Sequence, residues 1–149
     1  PDIESEHYII DIGSAMLAAA PERFDVVVTL NLYGDIISDI TAQVAGSVGL
    51  GGSSNVGDNF AMFEAIHGSA PDIAGQNIAN PYSMIGSVAL MLDMSFNMAA
   101  EAKAVWSAMQ SVFEAGFSTS DLSAPGSDIQ LLSTTEFGDK VIEALDTLL

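Results

Sequence analysis

Hydrophobic residues fall along this chain in blocks, and the spacing within each block predicts helices and buried strands. Residues 24–30 are rich in valine without regular polar alternation, which is typical of a strand covered on both faces. Residues 34–45 repeat apolar side chains at helical spacing, so we predict an amphipathic helix whose apolar face meets a core or a partner helix. Residues 60–66 are a second strand candidate. Residues 7–10 are a short β-prone stretch. Four further helices are predicted, over residues 12–20, 83–98, 99–115 and 136–149.

Residues that commonly start or stop helices mark several of these ends. Gly116 follows the helix predicted over 99–115, as expected of a residue that ends a helix. Asn80 and Pro81 are residue types favoured at the N-cap and at the first helical position. Ser133 and Glu136 have the spacing of a capping box, in which each side chain bonds the other residue's backbone N–H. The capping box predicts the start of the last helix.

Three stretches lack a periodic pattern. Residues 46–58 are rich in Gly and Ser but contain no phosphate-binding glycine motif after a strand, so we predict a flexible connection rather than a phosphate cradle. Residues 64–81 form a long stretch of turn-forming residues with one His, and loops of this length in compact domains are usually functional. Residues 117–132 are predicted to be an irregular loop.

Basic residues are nearly absent from the 149-residue chain, which has three Lys and Arg against 20 Asp and Glu and a net charge of −17. No basic patch is available, so binding to nucleic acid or to an anionic membrane is not expected. No apolar run reaches the roughly 18 residues of a membrane span, and no signal peptide is visible. Cysteine is absent, which excludes disulfides and thiolate metal sites. The apolar share of 49% predicts a globular fold with a real core.

Two carboxylates in the helix predicted over residues 34–45 are candidates for a metal site. Asp35 and Asp39 are four residues apart, so they lie one turn apart on one face and repel each other by a few tenths of a kcal/mol. A hard divalent cation would offset that repulsion, since Mg²⁺ prefers carboxylate oxygens. Two interpretations without a metal stay open. Asp35 and Asp39 could be solvated acids on an exposed helix face, and Asp11 could be the N-cap of the first helix.

Five motifs stand in order along the chain: residues 31–39 (Asn-Leu-Tyr-Gly-Asp-Ile-Ile-Ser-Asp), 63–71 (Phe-Glu-Ala-Ile-His-Gly-Ser-Ala-Pro), 74–75 (Ala-Gly), 80–81 (Asn-Pro) and 135–139 (Thr-Glu-Phe-Gly-Asp). Together they resemble the isocitrate and isopropylmalate dehydrogenase family of β-decarboxylating dehydrogenases, and in detail its bacterial isocitrate branch. The resemblance implies an α/β chain that forms part of the isocitrate/isopropylmalate dehydrogenase-like fold, which is distinct from the Rossmann fold. It implies that residues 1–48 end the small domain, with a metal-binding and dimer-interface helix. Residues 49–149 would then be the C-terminal part of the large domain, with the cofactor loop.

The resemblance assigns a metal role to three aspartates. Asp35 and Asp39 match the acidic pair that ligates Mg²⁺ or Mn²⁺ beside the substrate. Asp11 matches a third carboxylate, which the family supplies across the dimer from the other subunit. The resemblance therefore implies a homodimer with a shared metal site.

The resemblance also implies a nicotinamide cofactor held by one loop and its borders. Glu64 matches an acid near the nicotinamide end, and Asn80 matches an adenine contact. Asp72 and Ile73 stand where NADP-using relatives often carry Lys and Tyr. A carboxylate there would accept hydrogen bonds from the ribose 2′-hydroxyl and repel a 2′-phosphate, so NAD is predicted. The candidate cofactor residues are Glu64, His67, Gly68, Ser69, Ala70, Asp72, Ile73 and Asn80.

Enzymes of this family oxidise a small-molecule 2-hydroxy acid while reducing the nicotinamide, and the resulting β-keto acid loses CO₂. For isocitrate the product is 2-oxoglutarate, within the tricarboxylic acid cycle. Such an enzyme is expected in the bacterial cytoplasm, or in the mitochondrial matrix of a eukaryote. The family's substrate-binding arginines and its catalytic Tyr, Lys and Ser precede the matched region, so no catalytic residue is assignable in this chain.

Two further interpretations of the function stay open. The chain could be a catalytically incomplete fragment or a redesigned domain that acts as a binding or oligomerisation unit, an interpretation that the deficit of Lys and Arg favours. Alternatively, the intact enzyme could act on isopropylmalate, homoisocitrate or tartrate, because the residues that choose the substrate lie outside the matched motifs.

Overall fold

The computed structural model describes residues 3–124, 126 and 128–148, and the chain divides into two compact units, residues 1–45 and 46–149. No helix in the described part is long and apolar enough to cross a membrane. The helices are α1 (Ile10–Ala19), α2 (Asn31–Ala45), α3 (Tyr82–Met94), α4 (Ala99–Glu114) and α5 (Thr134–Leu148). The strands are β1 (Gly52–Val56), β2 (Ala61–Ala65), β3 (Phe117–Ser118) and β4 (Gln130–Leu131).

The first unit is built on the contact between α1 and α2. The two helices bury Leu17, Ile37 and Ala42. The helix predicted from residue 34 starts three residues earlier, at Asn31. The reason is that the Gly34 N–H donates to the Leu30 carbonyl at 2.8 Å and closes one more turn.

Asp11 lies inside the first turn of α1, so its interpretation as an N-cap is wrong. The N-cap position belongs to Ile9, which has no capping side chain. The Gly13 N–H donates to the Ile9 carbonyl at 2.9 Å, and this bond starts the helix before Asp11. The Asp11 carboxylate accepts from the Ile12 N–H at 2.7 Å, and its charge is favourable at the positive end of the helix dipole. The β-prone stretch over residues 7–10 forms no strand, and Ile10 joins α1.

Residues 24–30 do not form the predicted strand. None of the described residues pairs with them, and a strand requires a hydrogen-bonded neighbour. From Asp25 onward their side chains are exposed, with exposed fractions of 81% for Val26, 92% for Val28 and 76% for Leu30. Phe24 is half-buried, and its ring centroid lies 5.8 Å from that of Tyr8. The apolar pattern therefore identifies a segment suited to burial, but no covering element accompanies it in the first unit.

The core of the second unit lies where α4 meets α3 and α5. A chain of aromatic contacts runs through it, with ring centroids 5.4 Å apart for Tyr82 and Phe113 and again for Phe113 and Phe137. Trp106 extends the chain from Tyr82 at 6.1 Å. The buried apolar residues of this core are Ala108, Met109, Val112, Leu132, Phe137 and Val141.

β1 and β2 form an antiparallel hairpin that packs on α3. The prediction of a strand over 60–66 is confirmed by β2, but the flexible connection predicted over 46–58 is wrong, because this stretch contains β1. Its glycines serve close packing: a Cβ on Gly52 would lie 3.1 Å from the backbone carbon of Gly86 in α3. The Ser87 hydroxyl fixes the contact, accepting from the Ser53 N–H at 3.2 Å and donating to the Glu64 carbonyl at 2.6 Å.

The remaining predictions for the second unit hold with shifted ends, apart from the N-cap of α3. Pro81, not Asn80, occupies the N-cap position, because α3 begins at Tyr82 and Pro81 lies outside it. The Asn80 side-chain oxygen nevertheless accepts from the Tyr82 N–H at 3.0 Å. α3 stops at Met94, four residues before the predicted end at residue 98. Asn97, which lies between the two ends, has a left-handed backbone conformation that turns the chain. α4 matches its prediction within one residue. The loop over 117–132 contains the short parallel pair of β3 and β4, so it is only partly irregular. The capping box that precedes α5 is confirmed: the Ser133 N–H donates to the Glu136 carboxylate at 2.8 Å, and the Glu136 N–H donates to the Ser133 hydroxyl at 3.3 Å. The Glu136 carboxylate also accepts from the Ser133 hydroxyl at 2.7 Å, and the two bonds that it accepts hold the Glu136 pKa below its usual value.

Candidate functional site

A cleft of about 850 Å³ opens in the second unit. Four parts of the chain line it: residues 47–49, most of the loop from His67 to Asn80, residues 120–121, and Thr134 at the start of α5. Its volume lies within the range of cofactor and small-molecule sites. Because most of the lining is loop, what holds these loops in place decides the shape of the site.

Six of the eight candidate cofactor residues line this cleft, namely His67, Gly68, Ser69, Ala70, Ile73 and Asn80. The other two, Glu64 and Asp72, do not. Glu64 lies in β2 with its side chain exposed. Asp72 is exposed in the 3₁₀ turn Pro71–Ile73, next in sequence to a residue that lines the cleft.

The loop from His67 to Asn80 is shaped by residues with positive φ. Ala70 has φ 41° and ψ 63°, a left-handed conformation that is uncommon for a residue other than glycine. The Ile73 N–H donates to the Ala70 carbonyl at 3.1 Å and closes the turn that follows. Gly75, at φ 77°, reverses the chain again. Ala70 and Gly75 therefore set the direction of the chain along this loop.

The start of α5 anchors this loop. Asn77, at φ 58°, accepts at its side-chain oxygen from the Thr135 hydroxyl at 2.9 Å and from the Thr135 N–H at 3.2 Å. The Asn77 carbonyl accepts from the Thr134 N–H at 3.0 Å, and the Thr134 hydroxyl donates to the Ala79 carbonyl at 2.5 Å. The loop is therefore tied to a helix whose own position is set by the core.

Asp121 lines the cleft, and sequence reasoning missed it. Burial alone would raise the pKa of its carboxyl group, but hydrogen bonds from Ser47, Thr119 and Asn80 outweigh burial and hold the pKa below its ordinary value. The charged form is thus favoured. The available signal was weak: an acid beside Ser and Thr, in a loop where local hydrogen bonds between side chains are common.

The cleft has no positive charge of its own. Its lining contains one carboxylate, from Asp121, and one imidazole, from His67, but no Lys or Arg. The two basic residues of this unit lie elsewhere: Lys140 pairs with Glu143 at 2.6 Å, and Lys103 lines a separate groove of about 310 Å³. An anionic group that enters the cleft meets only backbone N–H groups, hydroxyls, side-chain amides and the His67 imidazole as possible donors from this lining.

The three candidate metal residues lie in the first unit. Asp35 and Asp39 are exposed on α2, one turn apart, and Asp11 is exposed on α1. Among residues 3–124, 126 and 128–148, no three His, Asp or Glu side chains come together as one metal-binding group. The α2 pair supplies two carboxylates of the kind that Mg²⁺ or Mn²⁺ binds.

Known proteins of one family are similar to this chain along most of its length. A family profile described as isocitrate/isopropylmalate dehydrogenase matches residues 1–141. An isocitrate dehydrogenase [NADP] of Rickettsia bellii is 49% identical over 145 residues, which are 97% of this chain and 30% of that protein. A 3-isopropylmalate dehydrogenase of Desulfitobacterium hafniense is 43% identical over 97% of this chain and 41% of that protein. This chain thus spans 30% to 41% of the length of these two relatives.

A solved structure supports the fold. The crystal structure of isocitrate dehydrogenase from Methylococcus capsulatus matches with a TM-score of 0.89 and 40% sequence identity. The match covers 97% of this chain and 42% of that chain. The α/β fold predicted from the five motifs is therefore confirmed.

Proposed function

The chain belongs to the isocitrate/isopropylmalate dehydrogenase family, and from that premise we propose that it supplies the cofactor and metal residues of an enzyme that oxidatively decarboxylates isocitrate to 2-oxoglutarate. The observation that carries the proposal is the gathering of six candidate cofactor residues on one cleft. The preference for isocitrate over isopropylmalate rests on identity, 49% against 43% in the two relatives above. The bacterial relatives favour a cytoplasmic enzyme.

We propose that Asp35 and Asp39 hold Mg²⁺ or Mn²⁺ together with Asp11 of a second copy of the chain, in a homodimer. The donor set fits, because it consists of exposed carboxylate oxygens whose mutual repulsion a divalent cation relieves. When bound, such a cation acts as a Lewis acid that stabilises negative charge on substrate oxygens. The contribution of this chain is to hold two carboxylates at a fixed separation on one rigid helix.

We further propose that the cofactor is NAD. The charge of the cleft supports this choice, because its lining has no Lys or Arg to meet a 2′-phosphate and Asp72 adds a carboxylate next to it in the chain. A 2′-hydroxyl can donate to such a carboxylate, whereas a phosphate is repelled. The relatives from Rickettsia carry NADP in their names, so this is the point at which the chain is expected to differ from them.

Initial rates with isocitrate and Mn²⁺ test the proposal, measured on the protein that carries this sequence with NAD or NADP as oxidant. We expect turnover with a higher kcat/KM for NAD. Preference for NADP would overturn the choice of cofactor and leave the reaction in place. Turnover of isopropylmalate in place of isocitrate would reassign the substrate within the family.

A second candidate function is a binding or oligomerisation unit without turnover. The exposed apolar residues of the first unit favour it, since Val26, Val28 and Leu30 offer a surface to another chain. The chain also has few cations with which to bind a tricarboxylate. Absence of turnover with each substrate and both cofactors, together with a stable assembly of chains in sedimentation, would favour this function.

A further inference from the structure

We propose that Asp121 is a positioning residue, which fixes the side-chain amide of Asn80 and with it the wall of the cleft that receives the adenosine half of the cofactor. The inference rests on the proposed function for the identity of the ligand. Its structural part, the control of Asn80 by Asp121, is independent of any ligand.

Asp121 joins three parts of the cleft wall through one carboxylate. Its Oδ2 accepts from the Ser47 hydroxyl and from the Asn80 side-chain N–H, the latter at 3.2 Å. Its Oδ1 accepts from the Thr119 hydroxyl at 2.5 Å. Ser47 and Asn80 are 74 and 41 residues from Asp121 in sequence, so the carboxylate ties distant segments together.

The bonds fix the orientation of Asn80. A carboxylate only accepts hydrogen bonds, so the Nδ2 group of Asn80 must face Asp121. At the other end of the amide, Oδ1 accepts from the Tyr82 N–H at 3.0 Å, in the first turn of α3. A flipped amide would place oxygen against carboxylate and N–H against N–H. Asn80 is only 7% exposed, so water cannot readily replace either partner.

Gly49 shows that this group of residues is closely packed. A Cβ on Gly49 would lie 2.9 Å from the Asn80 Cβ, 3.2 Å from the Asp121 carboxylate and 3.2 Å from the Ser47 hydroxyl. The Gly49 N–H also donates to the Ser47 hydroxyl at 3.0 Å. A methyl group here would spread Ser47, Asn80 and Asp121 apart without changing any hydrogen-bonding group, which makes Gly49→Ala a steric probe of the same wall.

A wall held in this way is formed before the ligand arrives, which lowers the cost of ordering it on binding. Loss of the carboxylate should therefore weaken binding of the adenosine half and leave the chemistry at the other end unchanged. We expect Asp121→Asn to raise the KM for NAD about tenfold while kcat at saturating NAD stays within about twofold. A general loss of structure would lower kcat as well.

The experiment compares Asp121→Asn and Gly49→Ala with the wild type and with Asp146→Asn, which removes the same charge from an exposed position on α5. Binding of adenosine monophosphate and of nicotinamide mononucleotide is measured by calorimetry on the protein that carries this sequence. Hydrogen exchange of residues 79–84 is measured without ligand. We expect both cleft variants to bind adenosine monophosphate about tenfold more weakly and to bind nicotinamide mononucleotide with unchanged affinity. We also expect the backbone amides of residues 79–84 to exchange faster in both variants.

Unchanged exchange over residues 79–84 in both variants would overturn the control of Asn80 by Asp121, whatever the ligand. Faster exchange with unchanged adenosine monophosphate affinity would overturn the role of this wall in binding. If the wild type binds neither NAD nor NADP, the proposed function fails, and the exchange result alone decides whether Asp121 positions Asn80. Gly49→Ala keeps the test open if Asp121→Asn fails to fold.

Discussion

Replacing Phe137 with Ala should remove the centre of the second unit's core and loosen the loop from His67 to Asn80. The side chain is fully buried, and its ring centroid lies 5.4 Å from that of Phe113. Because no part of the ring is left in water, the full cost of truncating a buried Phe applies, about 3–5 kcal/mol in the free energy of unfolding. Ile142, on the same helix, is 59% exposed, so Ile142→Ala should cost about 1 kcal/mol.

Denaturant unfolding followed by Trp106 fluorescence measures the difference, since Trp106 packs against the same aromatic chain through Tyr82. The denaturant concentration at which half the protein is unfolded should fall far more for Phe137→Ala than for Ile142→Ala. The slope of the free energy of unfolding against denaturant concentration should stay unchanged in both variants. Phe137→Ala should also raise the KM for NAD, because the helix it anchors presents Thr134 and Thr135 to the loop at Asn77. Equal losses of stability in the two variants would refute the assignment of the core.

Three further predictions concern charges. Asp72→Lys should raise the ratio of kcat/KM for NADP to that for NAD about tenfold, since it replaces a repelling charge with an attracting one; Asp58→Lys, in the hairpin turn, should leave the ratio unchanged. Asp39→Asn should weaken Mn²⁺ binding about tenfold in a titration followed by electron paramagnetic resonance, whereas Asp25→Asn, at another exposed acid of the first unit, should not. Asp121 has a pKa below its ordinary value of 3.8, so its ionisation stabilises the fold above that pH and the contribution is lost as pH falls through the folded pKa. The Tm difference between wild type and Asp121→Asn should therefore shrink below about pH 4, and a constant difference would contradict the assignment.

The elements that the sequence predicted well are those whose signals are local. The capping box of Ser133 and Glu136 needs residues only three apart, and the structure contains it. β2 and α4 follow from patterns complete within their own length. The start of α2 was placed too late because the bond between Gly34 and Leu30 adds a turn that the polar Asn31 does not suggest.

The glycine-rich stretch before β2 was misjudged because composition does not distinguish a flexible glycine from a closely packed one. Gly52 lies against the backbone of Gly86, and the two are 34 residues apart in sequence. Only the approach of β1 to α3 shows that there is no room for a side chain at this point. Asp121 was missed for the same reason, since two of its three partners come from distant segments.

The segment over residues 24–30 shows what a hydrophobic pattern does and does not encode. Its valines are typical of a strand that is buried on both faces. A strand also requires a hydrogen-bonded neighbour, and no described residue provides one. The relatives that match this chain extend well beyond the matched region, in which they share 43–49% of their residues with it. The exposure of residues 25–30 and the absence of Lys and Arg from the cleft lining lead to one expectation. The groups that cover this segment, and those that would bind the anionic substrate proposed above, should belong to residues other than these 149.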